Sequence, residues 1–182
     1  MNGLELIKSR RSIRKYKDEV IDKAVLTELM ETVKYTQSWA NYQVARYTFI
    51  QNPEIIDKIM TKGVNGFAYN VNTLKEAKNV MVLSFVEGKS GKLDPEVETY
   101  ATTKANVWEV FDSGIACQTF CLAAHAMGIG TCVMGVIAAD ELKEIAELPE
   151  GETVAALITF GYPDEEVAPT KRKSLDEIVR FK

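Results

Sequence analysis

Ser113-Gly-Ile-Ala-Cys117-Gln-Thr-Phe-Cys121-Leu-Ala-Ala-His125-Ala-Met-Gly128-Ile-Gly130-Thr-Cys132-Val-Met134-Gly-Val-Ile-Ala-Ala139 runs for 27 residues without Asp, Glu, Lys or Arg. A bilayer span needs about 20 consecutive apolar residues. Gln118, Thr119, His125 and the break Gly128-Ile129-Gly130 interrupt this stretch. It reads as the end of a long buried helix, a glycine turn, and a buried strand from Thr131 to Val136. Downstream, a helix from Ala139 to Glu147 and a strand from Thr153 to Phe160 follow. Upstream, the helical pattern reaches back to Pro95, behind a polar loop from Gly88 to Asp94 and an apolar strand-length run, Asn79 to Phe85. Asn52-Pro53 has the form of a cap plus a first-turn proline, opening a helix to about Lys62. Arg46 to Gln51 alternates as a strand. Asp22 can cap a helix reaching about Thr36, with Val25, Leu26, Leu29, Met30 and Val33 on one face. Residues 3–9 form a short first helix.

Helices and strands mixed in this order predict one α+β domain over residues 1–182. No repeat, low-complexity tract or linker divides it. The tail after Pro163 lacks a core of its own but carries apolar residues (Leu175, Ile178, Val179, Phe181), so it is expected to pack on something, a partner subunit included.

The 182 residues are 46% apolar and 26% charged, with a net charge of −4. A chain this long buries roughly 70% of its unfolded surface. Net acidity opposes a nucleic-acid-coating role, which needs broad positive potential. Three cysteines make no disulfide framework, and the N-terminus lacks the pattern of a signal peptide. A cytoplasmic location follows, with neither nucleic acid nor membrane as partner. One local excess stands out. Six of the 22 basic residues fall between Lys8 and Lys17.

Several chemistries are excluded by spacing. Gly88-Lys89-Ser90 would end a phosphate loop only if residue 83 were glycine, and it is Leu83. The third glycine of a dinucleotide fingerprint starting at Gly128 falls on Val133, after a helix rather than a strand. Cys117, Cys121 and His125 lie on one helix face, spread over about 12 Å, too far to converge on one metal ion. His125 is the single histidine, and a buried helix face offers no activated nucleophile beside it. This poverty of acid–base groups fits a non-enzyme, or an enzyme whose cofactor carries the difficult step.

Arg10-Arg11-Ser12-Ile13-Arg14-Lys15-Tyr16 joins guanidinium forks to a hydroxyl, a donor set suited to phosphate. A helix C-terminus favours one or two cations, fewer than stand here. This segment resembles the opening motif of the nitroreductase family. Gln37-Ser38-Trp39-Ala40-Asn41-Tyr42-Gln43 is similar to that family's second motif. Asp112 to Gly130 is similar to its central helix and exit turn, Val133-Met134-Gly135 to the following strand end, and Gly161-Tyr162-Pro163 with the basic tail to its close.

The resemblance implies a three-layer α+β fold, with a central, mainly antiparallel sheet flanked by helices. It implies an intertwined homodimer with exchanged C-terminal segments and FMN at the subunit interface. The uncharged helix would then be dimer core. Carried over by position, Arg10, Arg11 (through its backbone), Ser12 and Arg14 would bind FMN, with Lys171 and Lys173 at the phosphate. Gln37, Ser38, Trp39 and Asn41 would approach the flavin, the last three from the other subunit. Asn70 would meet the ring's polar edge, and Met134-Gly135 would present backbone N–H near N5. Phe67, Tyr69 and Trp39 would wall the substrate pocket. No protein side chain would be catalytic. The implied activity is NAD(P)H-dependent reduction of a small-molecule acceptor (nitroaromatic or quinone) by a ping-pong mechanism. The alternatives are a non-catalytic FMN-binding or sensing module, or another flavin reaction such as dehalogenation or dehydrogenation. The family often has proline at Gln37 and a small residue at Trp39, so the pocket here departs from the common pattern.

Overall fold

The computed structural model describes residues 2–182. Its order is α1 (Gly3–Ser9), α2 (Lys23–Val33), a 3₁₀ turn (Trp39–Asn41), β1 (Ala45–Ile50), α3 (Pro53–Lys58) running into a π turn (Ile59–Gly63), α4 (Ala68–Glu76), β2 (Asn79–Val86), α5 (Val107–Ala126), β3 (Gly130–Met134), α6 (Ala139–Ile145), β4 (Glu152–Gly161) and α7 (Leu175–Ile178). The four strands form one antiparallel sheet in the order β1-β2-β4-β3.

The sheet is covered on both faces, which explains why β2 reads as unbroken apolar sequence rather than alternation. Met81 and Leu83 pack with Ile158 and Phe160 against Leu29 and Val33 of α2 and Ala116, Phe120 and Ala124 of α5. Val80 and Val82 face the other way, with Leu157, against Ile56, Ile59, Leu74 and Leu142 from α3, the π turn, α4 and α6. The three-layer α+β architecture is therefore as expected.

The exit from α5 is a Schellman motif. Gly128, at φ +76°, reverses the chain, Gly128 N–H donates to His125 C=O (3.1 Å), and Ile129 N–H donates to Ala124 C=O (2.9 Å). Gly130 opens β3 on the next residue but one, so the helix delivers the strand directly to the sheet edge.

Several boundaries differ from the sequence reading. Helix α5 starts at Val107, not Pro95. Residues 95–106 form turns, with Ala105 at φ +47° and Trp108 Nε1–H donating to Thr102 Oγ1 (3.0 Å). Helix α2 stops at Val33, whose carbonyl accepts from both the N–H and the hydroxyl of Thr36 (2.9 and 2.6 Å). Asp22 occupies its N-cap position without a side-chain capping bond. Asn52 does cap α3, accepting from Glu54 and Ile55 N–H. Helix α4 lies where the sequence reading placed no element, between the helix ending near Lys62 and the strand opening at Asn79. Strand β3 ends at Met134 rather than Val136.

Past β4 the chain returns along the sheet edge as far as Val167, which packs against the second face. Every residue from 168 to 182 is exposed. Among the described residues no helix is long and apolar enough to cross a membrane.

Candidate functional site

The basic segment lies along the free edge of β3. Ser12 forms a parallel bridge with Thr131, Ile13 N–H donates to Thr131 C=O (2.9 Å), and Tyr16 bridges Pro163. Two glycines permit this close approach. Gly130 and Gly161 are register partners; a Cβ at Gly130 would collide with Ile13, and one at Gly161 would press tightly on Tyr16. Tyr16 anchors the segment from below, its buried hydroxyl donating to Ile13 C=O (2.5 Å). Burial drives that phenol far above its usual pKa.

The three arginines take different positions. Arg10 caps α1, and its charge reaches Cys117, Cys121 and His125 on the inner face of α5. Burial pushes the Cys132 thiol up, while Arg14 and Arg10 pull it the other way. Arg11 turns back on α1, donating to the carbonyls of Lys8 (2.7 Å) and Arg10 (2.8 Å). Its Nε is buried and finds no acceptor. Glu165, from the segment after β4, accepts from the N–H groups of both Arg14 (2.5 Å) and Lys15 (3.1 Å) and fixes the far end of the strip.

A cleft of about 450 Å³ opens beside this strip, lined by Arg14, Phe67, Tyr69, Asn70 and residues 132–136. Its size falls in the range of small-molecule and cofactor sites. Six residues named from sequence therefore share one site: Arg14, Phe67, Tyr69, Asn70, Met134 and Gly135. Phe67 and Tyr69 stand at the start of α4 with ring centroids 5.5 Å apart. Asn70 is buried, and its amide donates to Val136 C=O (2.9 Å), fixing the loop after β3. The Met134 side chain belongs to the core, so only its backbone is available to the cleft. Nothing lies within 4 Å of where a Gly135 Cβ would stand, which leaves that backbone open.

Arg10, Arg11 and Ser12 stand in the strip but do not line this cleft, and the remaining named residues lie elsewhere in this chain. Gln37 and Ser38 line a second cavity, of about 500 Å³, with Tyr42, Gln43, Arg46 and Asp112. Trp39 is not turned to either cavity. Its indole N–H donates to Lys92 C=O (2.5 Å) and its ring meets Trp108 at 4.9 Å. Asn41 is exposed beside it, with φ +55°. Lys171 and Lys173 lie in the exposed tail. Sequence reasoning assigned no site role to Cys132, Val133, Glu165 or Asp112. A signal existed only for Asp112, which is the last charge before the uncharged run.

The family model for the nitroreductase family matches residues 7–162. The chain belongs to the nitroreductase family. The match spans the basic strip, the Gln37–Gln43 loop, α5 and all four strands. A Bacillus subtilis member, FMN reductase [NAD(P)H], is 27% identical over 179 residues, covering 92% of this chain and 70% of that one. Among solved structures, the nitroreductase family protein from Streptococcus pneumoniae superposes with a TM-score of 0.85 at 19% identity, over the full length of both chains. A Desulfovibrio desulfuricans protein solved in complex with FMN gives 0.78 at 23% identity, covering 100% of this chain and 98% of that one. At those identities the superpositions establish a shared fold.

Proposed function

We propose that the protein is an FMN-dependent NAD(P)H oxidoreductase acting as a homodimer in the cytoplasm, with residues 1–182 as one flavin-binding domain. The observation that carries this reading is the cleft at the β3 edge, where Arg14 of the basic strip, Asn70 and the open backbone at Gly135 converge. Its donor set fits the group. Arg10, Ser12 and Arg14 supply charge-assisted and neutral donors for a phosphate, a ribityl chain and a pyrimidine edge. The Gly135 backbone lets a flat ring approach without a side chain in the way. Support also comes from the B. subtilis relative named for FMN reduction and the D. desulfuricans structure with FMN.

When bound, FMN supplies the hydride and electron chemistry, which removes the need for an acid–base side chain. The chain's own residues bind, orient and shield. Arg14 places positive charge at the cleft, favouring an electron-rich ring. Phe67 and Tyr69 form an aromatic wall for a flat nicotinamide or acceptor. One cleft serving both substrates gives ping-pong kinetics, the nicotinamide leaving before a nitroaromatic or quinone enters.

The dimer reading rests on α5. Val107, Val110 and Phe111 are 55%, 59% and 56% exposed on a helix whose opposite face is core, and Gly114, Ile115, Gln118 and Leu122 continue this uncharged outer face. A second copy docked there would bring a partner's 37–43 loop toward the cleft and give the exposed tail, with Lys171 and Lys173, a surface to wrap. The test is direct. Purified protein should be yellow, elute as a dimer, bind FMN at one per chain, and oxidise NAD(P)H with parallel double-reciprocal plots against a quinone. A colourless monomer that neither takes up FMN nor oxidises NAD(P)H refutes the proposal.

A further inference from the structure

Of the six non-glycine residues at positive φ among those described, three fall within four positions: Ala40 (φ 44°), Asn41 (φ 55°) and Gln43 (φ 51°). Left-handed backbone is disfavoured for residues with a Cβ, and runs of it persist only where the surroundings over-determine them. Here the surroundings do so. Asp112, 3% exposed in the second turn of α5, receives the Trp39 N–H on both carboxylate oxygens (3.0 and 3.1 Å) and the Ser90 hydroxyl on one (2.6 Å). Trp39 Nε1–H and the Tyr42 hydroxyl then donate to the carbonyls of Lys92 (2.5 Å) and Leu93 (2.8 Å). Within the loop, Ser38 Oγ receives Gln43 N–H (2.8 Å).

We propose that Asp112 is a positioning residue, a buried latch that holds the strained Ser38–Gln43 loop against the 90–93 segment and so fixes the donors the loop offers to a flavin across the subunit interface. Asp112 touches neither flavin nor substrate. A buried carboxylate is costly unless its oxygens are satisfied, and the bonds to this one come from the loop and from the segment the loop leans on. Trp39 acts as the wedge of the latch. Its indole spends its single donor on Lys92 C=O and its face on Trp108, which explains how a bulky residue fits at a position where the family often has a small one. This inference rests on the flavin reading above, since the loop's target is the proposed FMN site.

The experiment compares full-length wild type with Asp112→Ala, Asp112→Asn and Ser90→Ala. Hydrogen exchange of the 37–44 peptide is measured without FMN, beside peptides of α5 from 116–126. FMN affinity and the kcat and KM for a quinone acceptor are measured with it. In Asp112→Ala the loop should exchange about tenfold faster while 116–126 is unchanged, with FMN affinity about tenfold weaker and KM raised more than kcat is lowered. Asp112→Asn should recover most of this, because its amide oxygen can accept from Trp39 and its NH₂ can donate to Ser90. Ser90→Ala should shift the same readouts in the same direction by less, and stands in if Asp112→Ala fails to fold. Unchanged loop exchange in Asp112→Ala overturns the latch. Faster loop exchange with unaltered FMN affinity and KM overturns the positioning role. Wild type that takes up no FMN refutes the flavin reading and the role that depends on it, while the flavin-free exchange data separately judge the latch.

Discussion

Gly130→Ala is a sharp test of how the basic strip is seated. A Cβ at that position would stand 2.7 Å from Ile13 Cγ1, 2.8 Å from its Cβ and 3.0 Å from its Cγ2. Carbon atoms sit comfortably at about 3.5 Å, so Ile13 must retreat by about 0.7 Å. Rotating the side chain cannot clear a clash that includes Ile13 Cβ. The backbone of residues 12–14 has to move, and with it the bond from Ile13 N–H to Thr131 C=O. Overpacking of this kind costs about 1–3 kcal/mol. For a chain of this length, about 2 kcal/mol corresponds to a fall in Tm of about 4–8 °C. The same movement carries Arg14 away from the cleft, so FMN affinity should fall about tenfold, or about 1.4 kcal/mol. Thermal unfolding by circular dichroism and FMN titration by fluorescence quenching measure the two effects. Ile13→Ala removes two of the three clashing atoms, so the double variant should show a coupling above about 0.5 kcal/mol. A Tm within about 1 °C of wild type with full FMN affinity, or strict additivity in the double variant, would refute the reasoning.

Arg10→Ala should weaken FMN binding by about 1–3 kcal/mol, the range for a charge-assisted pair; equal affinities by titration would remove Arg10 from the site. His125, the single histidine, has its pKa lowered first by burial and then by Arg10 and Arg11. Its neutral form is favoured in the fold, so its contribution to stability is complete above about pH 6.5 and is lost as pH falls through the lowered native value. An NMR titration of the lone imidazole should show this midpoint, and Arg10→Ala should move it upward; a wild-type midpoint at or above the free-imidazole value contradicts the prediction. Asn70→Ala strips the donor from Val136 C=O and should cost about 1–3 kcal/mol in chemical denaturation; a variant as stable as wild type would show that the amide does not hold the loop after β3.

What the sequence disclosed follows the range of the interactions. The Schellman exit at Gly128, the Asn52 cap and the buried strand β2 depend on near neighbours or on pattern, and each was readable. The start of α5 was not, because Ala105 and the Trp108–Thr102 bond are set by tertiary packing that no propensity records. Helix α4 was hidden by the Asn and Thr residues of Ala-Tyr-Asn-Val-Asn-Thr, which are poor formers redeemed by burying Asn70, Thr73 and Leu74. In the site, charge density exposed the arginine strip, and family likeness named Phe67, Tyr69, Asn70 and Gly135, which do share a cleft. Glu165 could not be foreseen, and Asp112 was marked only as the last charge before the uncharged run, since their partners lie 151 and 73 residues away. Arg10, Arg11, Ser12, Gln37, Ser38, Trp39 and Asn41 do not line the cleft within one chain, nor do Lys171 and Lys173.

The arginine strip has a consequence outside the cleft. In the order β1-β2-β4-β3, strand β3 is terminal, and a terminal strand exposes backbone groups that invite another molecule's strand to pair. Residues 12–16 cover that margin with a short, strongly charged segment, a poor template for further pairing. The proposed flavin affinity and the cover over this sheet margin thus fall on the same few residues. Trimming the first sixteen residues to study the rest would cost more than the loss of a binding group: it would leave a sticky sheet margin, and the truncated protein should precipitate rather than behave as a clean ligand-free control.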